Sequence, residues 1–496
     1  MSDAALSCIR TCALSNVSIP STMNRRSRKL RKKAERRALG AQRQSPHRET
    51  RMMLSATLRL CLAAAAATLF VAAASAETNL AGASIEPQVE RIYQAILAAP
   101  VVKKALDDIK ADDARTWEEQ KTITEIPSPP YKERARAEYY VKRMREVGLT
   151  DAAIDQEGNV VGVLKGNGNG PRLVIAAHLD TVFPEGTDVT IKERDGRFYA
   201  PGIGDDTRGL AALLSLIRVM KADDVRTVGD IMFVGDVGEE ELGNLRGVKA
   251  LFRDHPDIDG FISIDGLAVG TIVNQATGSH RYEVIFKGPG GHSFRHFGLP
   301  SAIHAMGRAI ARIGDLETPS DPKTTFTVGT VRGGTSVNAI AGEARMAIDM
   351  RSNSPEELEK IEQKVMVAVR EGAAEENRRW KSDRITVETK LIGERPAGAQ
   401  APDAKIVQAV RRSLAALGQR VTSVEAASTD SNVAISLGVP AVTLGGGGEG
   451  DGWHSLEEWY TPTDAYLGPQ NALLVALGLV GLEGVSEPLL DKRRPK

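Results

Sequence analysis

Past residue 61 the 496-residue chain has no cysteine; Cys8, Cys12 and Cys61 are the only three. The rest of the chain can form neither a disulfide nor a thiolate metal site. It also lacks net charge, but unevenly. Residues 1–76 hold 14 Lys and Arg against 3 Asp and Glu, so the remainder is acidic by 11 charges. That balance excludes nucleic acid as its partner. No repeat array and no long low-complexity tract follows residue 77. What is present is ordinary for a soluble globular protein, 42% hydrophobic and 26% charged, and the length calls for two domains.

A bilayer-length apolar run is missing too. From Met52 or Met53 the chain reads through Arg59 into a short Ala-rich run that ends at Ala74-Ser75-Ala76. A basic residue, an apolar stretch and an A-x-A site make a secretory signal peptide rather than an anchor, so the mature protein is expected to begin near Glu77, exported to the periplasm or secreted, with no stable membrane anchor. Residues 1–51 read as an early-placed start or a disordered extension.

From Glu77 a helical stretch runs to the breaker I-P-S-P-P at 126–130, and a second amphipathic helix ends at Gly148. Strand and helix signals then alternate: strands over 159–165, 172–177, 231–234 and 261–264, and helical spacing at Leu210, Leu213, Leu214 and Ile217. This predicts an α/β layer with a mostly parallel sheet. Near Gly278 the order becomes β-α-β-β-α-β, with strands at 281–287, 324–331, 343–351 and 384–390, and helices at 301–313 and from Pro355 to about Ala374. That is a ferredoxin-like unit. After Gly393 the α/β pattern returns. The expected organisation is therefore 1–76 extension and signal peptide, 77–277 first part of an α/β domain, 278–392 inserted domain, and 393–496 second part of the α/β domain.

Open α/β sheets place their sites beyond the carboxyl ends of strands, and acidic residues gather at four such ends: His178-Leu179-Asp180, Asp205-Asp206, Glu239-Glu240-Glu241 and Asp265. Each alone has a plainer reading: a hydrogen-bonded histidine, a helix N-cap for Asp206, a solvated glutamate face. Together, at the end of one low-dielectric sheet, they would repel unless cations sit among them. His454, in the glycine-rich G-G-G-G-E-G-D-G-W-H-S, joins them.

The motifs A-H-L-D-T-V, G-I-G-D-D-T-R-G, V-G-E-E-E-L-G, S-I-D-G, G-G-H-S, G-G-T-S-V-N, D-M-R, S-T-D-S-N and W-H-S-L-E-E, in this order, resemble the dinuclear-zinc metallopeptidases and amidohydrolases that include carboxypeptidase G, peptidase T, acetylornithine deacetylase and succinyl-diaminopimelate desuccinylase. The likeness runs from about I-P-S-P-P to about residue 480. It implies a zinc-exopeptidase-like catalytic domain with the ferredoxin-like insert as lid and dimerisation domain. Two Zn2+ per subunit are implied, with Co2+ or Mn2+ as substitutes: His178 and Asp265 on one, Glu240 and His454 on the other, and Asp205 bridging. Asp180 would orient the ring of His178 through its other nitrogen. Glu239 would be the general base towards a metal-bridged hydroxide. The register stays open at two places, Asp205 against Asp206, and Glu239/Glu240 against Glu240/Glu241. Where relatives commonly have lysine after the aspartates, this chain has Thr207 and Arg208.

In the lid, the resemblance makes His292 the oxyanion-stabilising histidine, often reaching across from a partner subunit, Asn338 a substrate-binding asparagine, and Arg351 the grip on a substrate carboxylate. A structural ion pair at the lid edge is the competing reading for Arg351. His47, His255, His280, His296 and His304 match no motif position. The implied activity is hydrolysis of an amide bond in a small peptide with a free carboxylate, by a homodimer. The alternatives are an N-acyl amino acid amidohydrolase and a non-catalytic binding protein on the same fold.

Overall fold

The computed structural model describes residues 84–493; the signal-peptide reading and the rest of segment 1–76 lie outside the described residues. Two of the sheets among the described residues carry separate large apolar cores. The larger has nine strands. At its centre Asp230–Asp236, Arg172–His178, Gly260–Ile264 and Ala441–Leu444 lie side by side and parallel. Its flanks are antiparallel: Val160–Leu164 pairs with Asp230–Asp236, and Thr271–Ala276 with Ala441–Leu444. The sheet is therefore mixed, where the sequence predicts one mostly parallel. Only the central strands read as continuous apolar runs, as strands buried on both faces do, and Thr271–Ala276, with polar Asn274 and Gln275, gave no such signal.

Helix Thr207–Ala222 crosses one face of the sheet with every residue from Thr207 to Met220 buried. Helix Leu467–Val480, buried from Gly468 to its end, lies on the same core. Both are buried on all sides because they are covered by sheet below and by the amino-terminal helices Pro87–Ala98, Pro100–Ala111 and Asp113–Thr124 above. The first two start with proline at N1, where a missing N–H costs nothing. A smaller apolar cluster around Phe261, Val433 and Ile435 fills the other face.

The second sheet has the strand order Thr324–Gly333, Glu343–Ser352, Gly278–Lys287, Thr386–Arg395, antiparallel throughout. Helices Ala302–Gly314 and Pro355–Trp380 pack together on its core face. This is the β-α-β-β-α-β unit expected from the sequence. The long helix passes the predicted end near Ala374 by almost two turns. Its polar last turns are anchored, since buried Glu376 accepts from Ser301 N, Arg308 Nε and Trp380 Nε1. A third, four-stranded sheet, built from Lys192–Arg194, Arg197–Tyr199, Glu449–Asp451 and Trp459–Thr461, carries no long apolar run and was not expected. No described helix is long and apolar enough to cross a membrane.

Phe286 is fully buried in the lid core. Phe286→Ala should cost about 3–5 kcal/mol in chemical denaturation while metal content stays at the wild-type level, because no candidate ligand belongs to that core. Loss of metal with an unchanged denaturation midpoint would contradict this division.

Candidate metal centre and active site

All four central strands run the same way, so their carboxyl ends meet at one edge. His178 is the last residue of Arg172–His178, Asp265 follows Gly260–Ile264, Glu239 and Glu240 follow Asp230–Asp236, and the loop after Ala441–Leu444 leads to His454. Asp205 enters from the turn before helix Thr207–Ala222. Asp205 Oδ1 lies 3.0 Å from His178 Nε2, and its Oδ2 lies 3.2 Å from His454 Nε2. His454 Nε2 is also 3.2 Å from Glu240 Oε1. One ligand atom each from His178, Asp205 and Glu240 falls within 4.8 Å of the other two. Asp265 is outside that triplet but lines the same cavity of about 680 Å³.

The two neighbouring aspartates are divided by their partners. The Asp206 carboxylate, fully buried, accepts from His178 N and Gly209 N at 3.1 Å each, capping the helix, while both oxygens of Asp205 face imidazoles. The glycines of G-I-G-D-D-T-R-G allow this approach. A Cβ on Gly209 would sit 2.5 Å from Ile264 O, and one on Gly204 would sit 2.4 Å from the Trp453 ring. Thr207 donates to Gly202 O and Ile203 O, and buried Arg208 donates to Gly446 O, tying the helix start to the glycine loop before His454. His454 itself has φ of 60°, an unusual conformation for a non-glycine residue and one that gathers at functional sites.

Asp180 requires a correction. The His178 ring is held by its backbone carbonyl, 3.0 Å from Nδ1, while its carboxylate stands 3.8 Å away, beyond hydrogen-bond reach. That carboxylate is saturated from elsewhere: it accepts from the N–H groups of Gly238, Glu239 and Glu240. Asp180 therefore shapes the glutamate loop, and it fixes the ring through its main chain.

Electrostatics marks the centre as short of positive charge. Burial and then the neighbouring Asp205 hold Asp265 well above the carboxylate range. Glu240 is pushed up to about 7, first by burial. His454 is raised to about 10 by hydrogen bonds to Asp205 and Glu240. Against its own burial, His178 is raised too, by Asp205 and then Asp206. Protons here serve as the counter-charge. Divalent cations would supply that charge and leave imidazole nitrogen and carboxylate oxygen as donors, the set that suits zinc and its neighbours. The residues fit a metal.

Sequence reasoning missed several residues that shape the centre. Glu458, four residues after His454 in W-H-S-L-E-E, is buried and accepts from Gly202 N, Gly204 N and Asp205 N, locking the Asp205 turn. Arg395 pairs with Glu239, its Nη1 2.8 Å from Oε1. Asp236 and Asp430 are both fully buried, none of their four carboxyl oxygens receives a protein donor, and burial holds both above the usual carboxylate range. Motif S-T-D-S-N pointed at Asp430 without saying why.

On the lid side, Arg281 and Arg351 reach opposite oxygens of Asp349, at 2.9 and 2.8 Å, and all three line the cavity. His292 and Asn338 do not line it. They sit together on the exposed lid surface, where Ser293 N donates to Asn338 O and His292 Nδ1 accepts from Phe294 N. Of the unassigned histidines, His280 pairs with Glu362, and His296 accepts from His292 N.

An acidic, imidazole-bearing cluster at the carboxyl edge of an α/β sheet, roofed by an inserted lid, defines a metal-dependent hydrolase. The sequence profile of Peptidase family M20/M25/M40 matches residues 174–475, and the chain belongs to that family. A tripeptidase structure from Staphylococcus aureus subsp. aureus Mu50 superposes with a TM-score of 0.62 at 25% identity, covering 73% of this chain and 97% of that one. The Bacillus subtilis (strain 168) protein YqjE is 28% identical over 302 residues, 59% of this chain and 77% of that protein. Acetylornithine deacetylase from Myxococcus xanthus is 29% identical over 242 residues, 44% of this chain and 60% of the deacetylase, less than two thirds of its length. The protein is accordingly a metallohydrolase acting on amide bonds.

Because Glu240 and the imidazoles hold protons that a metal would displace, metal uptake should release protons and tighten as pH rises through about 7. Titrating Zn2+ into metal-free protein in weak buffer should acidify the solution, less so for His454→Ala. Uptake with no proton release would contradict this charge balance.

Proposed function

We propose that the protein is an exported two-metal exopeptidase that hydrolyses an amide bond in a small peptide bearing a free carboxylate. The observation that supports this most is Arg351, which borders the same cavity as the acidic centre with only its Nε engaged, by Asp349. Its two terminal nitrogens, with no protein acceptor among the described residues, suit the bidentate grip of a carboxylate.

In this reading His178 and Asp265 would hold one divalent ion, Glu240 and His454 would hold a second, and Asp205 would serve both. Such ions, when bound, polarise the scissile carbonyl and activate water. The protein's own part is proton traffic and positioning. Glu239, held through Oε1 and bordering the cavity, takes the proton of the attacking water and delivers it to the leaving nitrogen as the C–N bond breaks. His292 and Asn338, exposed on the lid of their own chain, would complete the site of a second subunit. Exposed Phe294 and Phe297 beside them, 86% and 80% accessible, favour a lid-to-lid homodimer. Export rests on the segment from Arg59 to Ala76 alone.

An N-acyl amino acid deacylase would use the same centre, and the deacetylase among the relatives favours it as the second reading. A panel of dipeptides, tripeptides, acyl-glutamates and N-acetyl amino acids separates the two. Glu239→Gln should keep its metal yet lose about 10²–10⁴-fold in kcat. Full turnover in that variant would move the base elsewhere and reopen the glutamate register.

Sedimentation should show a dimer, and Phe294→Asp should yield a folded monomer that loses turnover because no partner supplies His292. A fully active monomer would contradict the role of His292 across the interface.

A further inference from the structure

Three consecutive glutamates follow strand Asp230–Asp236, and the chemistry needs them to do different things. Asp180 fixes their backbone by accepting from the N–H groups of Gly238, Glu239 and Glu240, but a backbone hold does not choose side-chain partners. Glu240 turns to His454. Glu241 is exposed, and its carbonyl accepts from Arg281 of the lid. Glu239, next to a ligand and on the wall of the same cavity, could equally become a ligand itself. A free carboxylate beside bound cations is drawn into coordination.

Arg395 grips it instead. Its Nη1 donates to Glu239 Oε1 at 2.8 Å, its Nη2 donates to the backbone carbonyl of the same residue, and both side chains are almost fully buried, 6% and 7% exposed. Nη1 also reaches Ser428 Oγ at 3.2 Å. The planar fork thus grips one residue at two points, which a point-charge ammonium does not do. Arg395 is the last residue of lid strand Thr386–Arg395. Its neighbour Glu394 is seated on the catalytic domain through Asn244 Oδ1 and Lys249 Nζ, at 2.6 Å each.

We propose that Arg395 is a positioning residue that sorts the glutamates: from the root of the lid it holds Glu239 out of the metal coordination sphere, leaving Oε2 free as the proton acceptor and Glu240 as the ligand. The proposal rests on Glu239 being the general base. It makes the seat of the lid a condition for a correctly aimed base.

Arg395→Ala and Arg395→Lys, loaded with Zn2+, test it through metal content and the separation of kcat from KM. Arg395→Ala should keep the wild-type metal content and KM but lose about 100-fold in kcat, the scale on which a misaimed catalytic group costs turnover. Because Arg395 borders the cavity, guanidinium ion, but not ammonium, should restore part of that loss. Arg395→Lys should fall between, reaching Oε1 without the second grip. Wild-type kcat in Arg395→Ala overturns the proposal, and so does a loss that guanidinium does not restore and that follows a loss of metal. If the alanine variant does not fold, the lysine variant decides: lower kcat at full metal content and unchanged KM supports the proposal, and wild-type kcat overturns it. Glu239→Gln run in parallel keeps the failures apart. Full turnover there sinks the base assignment, whereas a dead Glu239→Gln beside a fully active Arg395→Ala sinks only the role of Arg395.

Discussion

Carboxylates crowded at the end of a buried sheet are the constraint on which the rest of this structure depends. Asp180, Asp205, Asp206, Asp236, Glu239, Glu240, Asp265 and Asp430 all gather where four parallel strands end, and an uncompensated charge in that setting is costly. The fold answers each one separately. Asp206 is spent on a helix cap, Asp180 on three loop N–H groups, and Glu239 on Arg395. Asp236 and Asp430 are held above the usual carboxylate range by burial, which favours their neutral forms. Arg136, fully buried, places a cation nearby and donates to Leu179 O. What is left over, Asp205, Glu240 and Asp265 with His178 and His454, is a donor set whose charge only protons or metal ions can balance.

The lid supplies the complementary sign. Its sheet brings Arg281, Arg351 and Arg395 to the cavity from three different strands, and only Asp349 stands among them on that wall. Negative groups on one side attract cations, and guanidinium groups on the other attract a carboxylate. A substrate with a carbonyl near one end and a carboxylate at the other spans both. On the proposed reading such a substrate ends in a carboxylate, whether the acyl side is a peptide or a simple acyl group.

Much of this was legible in the sequence because the relevant signals are local. Apolar runs marked the central strands, and the positions directly after them marked His178, Glu239, Glu240 and Asp265. The β-α-β-β-α-β rhythm marked the lid. What was not legible depends on contacts far apart in the chain. Arg395 meets Glu239 across 156 residues, and Glu458 meets Gly204 across 254. Neither pairing leaves a trace in spacing. The role of the Asp180 side chain was misread for a related reason: proximity in sequence suggested the His178 ring, whereas the carboxylate found better donors about 60 residues on. The difference between Asp205 and Asp206 likewise depends on distant partners: Asp206 accepts from His178 N and Gly209 N, whereas Asp205 faces the rings of His178 and His454.

The account stands or falls on whether this leftover donor set holds two cations with Asp205 between them. Anomalous diffraction from crystals grown with Zn2+ reads that directly. Two peaks are predicted, one beside His178 and Asp265 and one beside Glu240 and His454, each in contact with one oxygen of Asp205, with Glu239 still on Arg395. A single peak, or coordination by Glu239 or Asp206, would contradict it.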